Sequence, residues 1–253
     1  MLFRPPRKGF VMSWPALAGP GGPSLERVKA DTIDVILPCL NEADALPWVL
    51  ARMPSWARPI VVDNGSTDGS SDIARAWGAS VVDVRQRGYG SACHAGLEAA
   101  TADVVAFMDA DASLDPRQLL MLRTALTDET DIVVGCRRPL SRAAWPRHLR
   151  IANREVCRRL RRRTGLELDD LGPMRLARRA PLLALQIGDR RSGYPLETVV
   201  RATESGWAVA TVNVDYYPRA GRSKVTGTPI GAFRAVADMT RILSSRGGEA
   251  LRS

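Results

Sequence analysis

Histidine is nearly missing from this chain: among 253 residues there are two, His94 and His148. A metal centre built on several imidazoles is thereby excluded, and any metal must rest largely on carboxylate oxygens, the preference of a hard ion such as Mg2+ or Mn2+. Cysteine is also scarce. Cys39, Cys93, Cys136 and Cys157 show no CxxC spacing, which removes a zinc knuckle, a thioredoxin-type pair and a disulfide framework and points to a reducing cytoplasm. Aromatic residues make up only 6%, and no nucleic-acid-binding module is recognisable, so the pI of about 10.1 does not imply a DNA or RNA partner. No apolar run approaches the roughly 18–20 residues of a spanning helix, and the mean hydropathy is −0.13.

What is abundant is arginine, in one place. The net charge is +9, yet residues 137–163 hold eleven arginines against the single acid Glu155, a local +10 that leaves the remainder at −1. Arg147, Arg150, Arg154, Arg158 and Arg161 recur at helical spacing, with Leu149, Ala152, Val156 and Leu160 on the other side. This predicts an amphipathic helix whose cationic face is either solvated or set against anionic headgroups or a lipid phosphate, as a peripheral contact at the inner face of the membrane. Residues 1–30, rich in Pro and Gly and without sustained periodicity, read as a flexible leader; a signal peptide is the weaker reading, because the apolar stretch after Arg4, Arg7 and Lys8 is short and broken by Pro15. Residues 241–253 read as a flexible tail, and 31–240 as one domain carrying the basic helical segment at 137–163 as an insertion.

From Ile33 the chain alternates strand and helix: IDVIL, a helix over about 42–53, PIVVD, a helix over 70–77, ASVVDV, a helix over 90–100, DVVAFMD, a helix over 116–126, and DIVVG. Short Val- and Ile-rich runs without alternation belong to strands buried on both faces, so the expected fold class is α/β, a mostly parallel, doubly wound sheet flanked by helices. Ligands bind such sheets at the carboxyl ends of the strands.

Those ends are polar here. In FMDADASLDP, Asp109 and Asp111 follow a buried strand at alternate positions, where they can share a divalent cation or divide metal and sugar between them. A plainer reading makes Asp111, Ser113 or Asp115 helix caps. VVDNGSTDGS has the composition of any tight loop, with Asp68 a candidate cap, but Asp63 closes an apolar run and requires a partner, such as the N–H edge of a nucleobase or a ribose hydroxyl. Gly88, Gly90 and Gly96 in RQRGYGSACHAG permit close backbone approach at a helix start.

In order and spacing, LPCLNE, VVDNGSTDGS, RGYGSACHAGLEAA and DADASLDP resemble the family 2 glycosyltransferases of GT-A fold, particularly the dolichyl-phosphate mannosyltransferase-like branch, over about 31–239. The resemblance implies a nucleotide contact at Pro38, Leu40 and Glu42, with Leu40 where the family has tyrosine, and a base-binding acid at Asp63. It places donor binding at Ala110 and Asp111 and metal at Asp109 and Asp111; Ser113 stands where the branch often has glutamine. YPLETVVRA resembles the family's FExxxRA helix and maps Glu197 and Arg201. PRAGRSKV resembles its RxxGxSK loop, one residue shorter, and maps Arg219 and Lys224, which with Arg201 would neutralise a diphosphate. Asp169 and Asp170 in LELDDLGPMR fall in the acceptor region, with the choice between them open.

The function this implies is an inverting, metal-dependent hexosyltransfer from a UDP- or GDP-sugar to a polyprenyl phosphate. Such an acceptor is largely ionised at neutral pH and needs no strong base. A sugar or glycerate hydroxyl would instead need Asp169, Asp170 or Glu197 as the base. The alternative from another class is a non-catalytic module that binds sugar nucleotides and docks on membranes. A dehydrogenase is excluded by the absence of GxGxxG after the first strand, and a nucleotidyltransferase by PCLNE in place of a glycine-rich basic loop.

Overall fold

The computed structural model describes residues 12–13, 32–220, 239 and 242–244. Its eight strands are β1 (Met12–Ser13), β2 (Ile33–Cys39), β3 (Ala57–Asp63), β4 (Ser80–Asp83), β5 (Val104–Phe107), β6 (Ile132–Pro139), β7 (Met174–Arg178) and β8 (Val209–Tyr216). They form one sheet in the order β1-β8-β6-β7-β5-β2-β3-β4. Every neighbouring pair is parallel except those of β7, which runs antiparallel to β5 and to β6. The sheet is therefore mostly parallel, as expected, and the carboxyl ends of β2, β3, β5, β6 and β8 share one edge. Met12 and Ser13, within the segment read as a leader, pair with Ala210 and Thr211.

The helices are α1 (Leu46–Ala51), α2 (Ser70–Ala76), α3 (Tyr89–Ala99), α4 (Leu119–Ala125, preceded by a 3-10 turn at Pro116–Gln118), α5 (Arg147–Thr164), α6 (Arg179–Ala184) and α7 (Tyr194–Glu204). Strand alternation divides the core. Ile36, Val62 and Phe107 pack with Cys93 and Leu97 of α3, Leu160 of α5 and Leu196 and Val199 of α7. Val35, Leu37 and Val61 pack on the opposite face with Leu46 and Val49 of α1, Ala74 of α2 and Leu119 and Leu122 of α4. Burial on both faces is why the strands read as unbroken apolar runs.

Two expectations need correction. The helix predicted over 42–53 is confined to Leu46–Ala51, because residues 41–43 are held by the next loop instead. The basic segment is not helical throughout: Arg137 and Arg138 lie on β6, which continues to Pro139, and the helix begins only at Arg147. Along α5, Cys157 and Leu160 are buried while Ala152 is exposed, so the packed stripe is rotated from the one assigned by spacing. Among the described residues no helix is long and apolar enough to cross a membrane.

Candidate active site

Two loops at neighbouring strand ends, after β2 and after β3, are laced together. Asn41, whose φ of 54° is unusual for a non-glycine residue, receives the Thr67 N–H on its Oδ1 at 2.8 Å and donates its own N–H to Ser66 Oγ at 2.9 Å. The Glu42 N–H donates to Ser70 Oγ, and Asp68 accepts from Ala43 and Ser70 N–H groups, although the N-cap of α2 is Gly69 and not Asp68. Pro38, Leu40 and Glu42 are half-buried along this seam.

Asp63, at the end of β3, is 7% exposed. Burial works against its charge, but hydrogen bonds from Ser66 N at 2.8 Å and Ser71 Oγ at 2.5 Å outweigh it and hold the carboxyl below its ordinary range. The carboxylate is thus ionised and oriented, with lone pairs left over for a ligand N–H or hydroxyl.

After β5 the chain turns sharply, with Ala112 at φ 60°, and brings Asp109 and Asp111 together. Asp109 accepts a hydrogen bond from Tyr89 Oη at 3.2 Å. Burial, and next the charge of Asp111, push its carboxyl up to about 6; Arg219, Arg137 and Tyr89 pull the other way. Asp111 is buried, with Oδ1 held by the Ser113 N–H at 3.0 Å and Oδ2 3.2 Å from Arg219 Nη2. Asp115 is the N-cap of the following turn, and Ser113 is wholly buried. Two carboxylates crowded at a strand end, with one of them drawing in a guanidinium, fit a divalent cation. The described residues contain no group of three His, Cys, Asp or Glu side chains, so water or ligand oxygens would complete its shell, as suits Mg2+ or Mn2+.

Gly88 and Gly90 serve an approach by the chain itself. A Cβ on Gly88 would lie 2.1 Å from the Arg190 carbonyl oxygen, and one on Gly90 2.7 Å from the Arg190 carbonyl carbon. Residues 187–193 press here, their carbonyls accepting from Gly90 and Ser91 N–H groups at the start of α3. Glu197 holds this loop: it is 5% exposed and accepts from Gly188 N at 3.0 Å, Asp189 N at 2.6 Å and Arg201 Nε at 2.5 Å. Arg201 also donates to the Leu185 carbonyl. The structure thus places Glu197 and Arg201 together, braced against the 185–191 segment that bonds to the start of α3.

Between β6 and α5 lies a cavity of about 510 Å³, lined by Arg137, Arg138, Trp145, Arg150, Asn153, Arg154, Arg158, Arg161, Glu167, Asp169 and Asp170, among others. The arginine stripe of α5 therefore turns into this cavity. Asp170, 2% exposed, is clamped by Arg137 through Nε at 2.8 Å, Nη2 at 2.7 Å and the backbone N–H at 2.9 Å. Asp169 is exposed, and its carbonyl accepts from Asn153. Arg137 stacks on Trp145 at 3.9 Å and lies 5.3 Å from the Tyr216 ring; burial opposes its charge, while the bonds to Asp170 raise its pKa above the ordinary guanidinium value. Tyr216, in turn, bridges Leu114 in the loop that carries the aspartates, so the cavity adjoins that loop. Tyr89, Arg137 and Trp145 carry no sequence signal of a role here. Lys224 lies outside the described residues.

The chain matches the model of "Glycosyl transferase family 2" over residues 34–185. It is 46% identical to an uncharacterized glycosyltransferase of Mycobacterium tuberculosis, over 86% of this chain and all of that one. It is 29% identical to a dolichyl-phosphate hexose transferase of Haloferax volcanii, over 77% and 87% respectively. Its fold superposes with a TM-score of 0.69 on glucosyl-3-phosphoglycerate synthase from M. tuberculosis, crystallised with Mn2+, UDP and phosphoglyceric acid, at 25% identity over 93% of this chain and 86% of that one. With the family model covering more than half of its length, this chain belongs to glycosyl transferase family 2.

Proposed function

We propose that this protein transfers one sugar, with inversion, from a nucleoside-diphosphate sugar to a polyprenyl phosphate, and that it needs Mg2+ or Mn2+ to do so. The observation that carries this reading is the arginine-lined cavity, which adjoins the aspartate loop through Arg137, Tyr216 and Leu114. An anionic acceptor is what such a lining recognises. The Haloferax relative, whose name specifies a dolichyl-phosphate acceptor, supports it.

Asp63 takes the base or ribose, flanked by Pro38, Leu40 and Glu42, and Ala110 and Asp111 meet the donor. Asp109 and Asp111 hold the cation, which when bound neutralises the diphosphate as a leaving group. Arg219 and Lys224 add charge there, and Glu197 and Arg201 act by bracing the 185–193 loop. Arg138, Arg150 and Arg154 orient the acceptor phosphate, one of whose oxygens forms a bond to the anomeric carbon as the bond from that carbon to the diphosphate breaks. The acceptor is already ionised, so neither Asp169 nor Asp170 is required as a base. The rim of the cavity, where exposed Leu140 and Ile151 follow lining residues Pro139 and Arg150, would rest on an anionic membrane surface from the cytoplasmic side. A second reading, transfer to a hydroxyl of a small phosphorylated acid, is favoured by the synthase crystallised with phosphoglyceric acid.

The test is turnover of UDP- and GDP-sugars, with and without Mn2+, on polyprenyl phosphate in phosphatidylglycerol-containing vesicles and on phosphoglycerate. Metal-dependent labelling of the lipid is expected. Labelling of phosphoglycerate alone would replace the acceptor, equal lipid labelling in vesicles without anionic lipid would remove the membrane contact, and no turnover with either acceptor would favour a non-catalytic binding module.

A further inference from the structure

Resting on the reading of Asp109 and Asp111 as the metal-binding pair, we propose that Arg219 is a placeholder for the cation. It neutralises Asp111 before metal arrives, then moves to the donor diphosphate, so that metal and nucleotide bind cooperatively.

The backbone fixes Arg219 at this position. Beyond β8 the chain runs beside the aspartate loop: Leu114 bridges Tyr216 in antiparallel fashion, the Tyr217 N–H donates to the Ser113 carbonyl at 2.9 Å, and the Ala220 N–H donates to the Asp111 carbonyl at 2.9 Å. Arg219 is thus tied at both flanks to the loop it serves. Its guanidinium lies 3.2 Å from Asp111 Oδ2, while Oδ1 is committed to the Ser113 N–H. Oδ2 is the oxygen left for a cation, and a metal ion about 2.1 Å from it would overlap the space of the guanidinium. Asp109, by contrast, has among the described residues only the neutral Tyr89 hydroxyl as its hydrogen-bond partner. The pair is half-neutralised, with the removable charge on one member.

The Arg219 side chain is 32% exposed, which leaves it room to swing. In the absence of a diphosphate, leaving Asp111 costs it an ion pair and returns only water. With a diphosphate present, the same movement gives a charge-assisted contact to phosphate oxygens. The placeholder therefore weakens binding of metal alone and strengthens binding of metal with nucleotide. By reciprocity, metal strengthens nucleotide binding by the same factor. Free Mg2+ is then excluded from an empty site without loss of affinity for the loaded donor.

The experiment titrates Mn2+ into the full chain by electron paramagnetic resonance of the free ion, alone and with UDP or GDP, for the parent, Arg219→Gln, Arg219→Lys and Asp111→Asn. Arg219→Gln should bind Mn2+ alone about tenfold more tightly than the parent and lose most of the gain conferred by nucleotide. Arg219→Lys, which keeps the charge, should remain within about threefold of the parent. Unchanged or weaker Mn2+ binding by Arg219→Gln, or no gain from either nucleotide in the parent, would overturn the placeholder. Asp111→Asn separates the two levels: lost Mn2+ binding upholds the metal site whatever Arg219 does, whereas undiminished binding removes the site and the placeholder together.

Discussion

The two flanks of the aspartate pair are built in opposite ways. On the proposed donor side Asn41, Asp63, Ser66, Asp68, Ser70 and Ser71 bond to one another within and between two loops, Asn64 ties them to Val84 and Gly88, and Asp63 is ionised by bonds made within the protein. On the cavity side Arg158 is paired with Glu155 and Arg161 with Glu167, while Arg138, Arg150 and Arg154 have no carboxylate partner among the described residues. A preformed, internally bonded surface loses little entropy when it takes a rigid nucleotide. A ring of unpaired cations is instead a site whose counter-charge belongs to the ligand. The difference suggests that donor specificity resides in shape and acceptor recognition in charge.

Arg137 stands between the flanks, and its loss gives the largest effect expected. Arg137→Leu leaves the Asp170 carboxylate buried with only a backbone donor, at a cost of about 3 kcal/mol in urea unfolding. Adding Asp170→Leu should recover most of that stability but not acceptor turnover. A double variant as unstable as the single one would show that the pair does not act as a unit. Next in size, Arg138→Gln, Arg150→Gln and Arg154→Gln should each raise the acceptor KM by about tenfold and leave the donor KM unchanged. A rise in donor KM instead would erase the division between the flanks.

How far the sequence discloses each flank follows from the same contrast. Parallel strands buried on both faces announce themselves as apolar runs, and the polar residues at their ends are sequence neighbours, so Asp63, Asp109 and Asp111 are found by reading along the chain. The cavity is assembled from β6, α5 and the 167–170 turn, and nothing local indicates that the arginine stripe turns inward. Spacing gives the helix its period but not its orientation. Asp169 and Asp170 look alike in LELDDLGPMR; only the Arg137 clamp, 33 positions away in sequence, separates them. Resemblance to the FExxxRA helix maps Glu197 as a candidate base and Arg201 as a diphosphate contact, and their bonds to the 185–189 segment emerge only when the fold brings that loop to Gly88 and Gly90. Neither β7 nor β8 is among the five strands read from the sequence, because MRLAR and VATVNVDY set charged or polar residues among their apolar ones and do not form unbroken apolar runs.

The smallest effect expected tests whether the aspartate pair is held at a cost to the fold. A carboxyl that titrates near 6 in the folded chain, against 3.8 for an unperturbed aspartate, keeps a proton that the unfolded chain has already released. Stability without metal therefore falls as pH rises from about 4 to about 6, and is level above that. Asp109→Asn removes this loss, so its melting temperature at pH 7.5 should exceed the parent's by a few degrees, while the two converge near pH 4. Mn2+ should raise the parent's melting temperature at pH 7.5 and leave the variant's nearly unmoved. If Asp109→Asn melts below the parent at pH 7.5 without metal, the Tyr89 contact stabilises Asp109 more than Asp111 and burial oppose it, and the pair is ordinary loop chemistry rather than charge held ready for a cation.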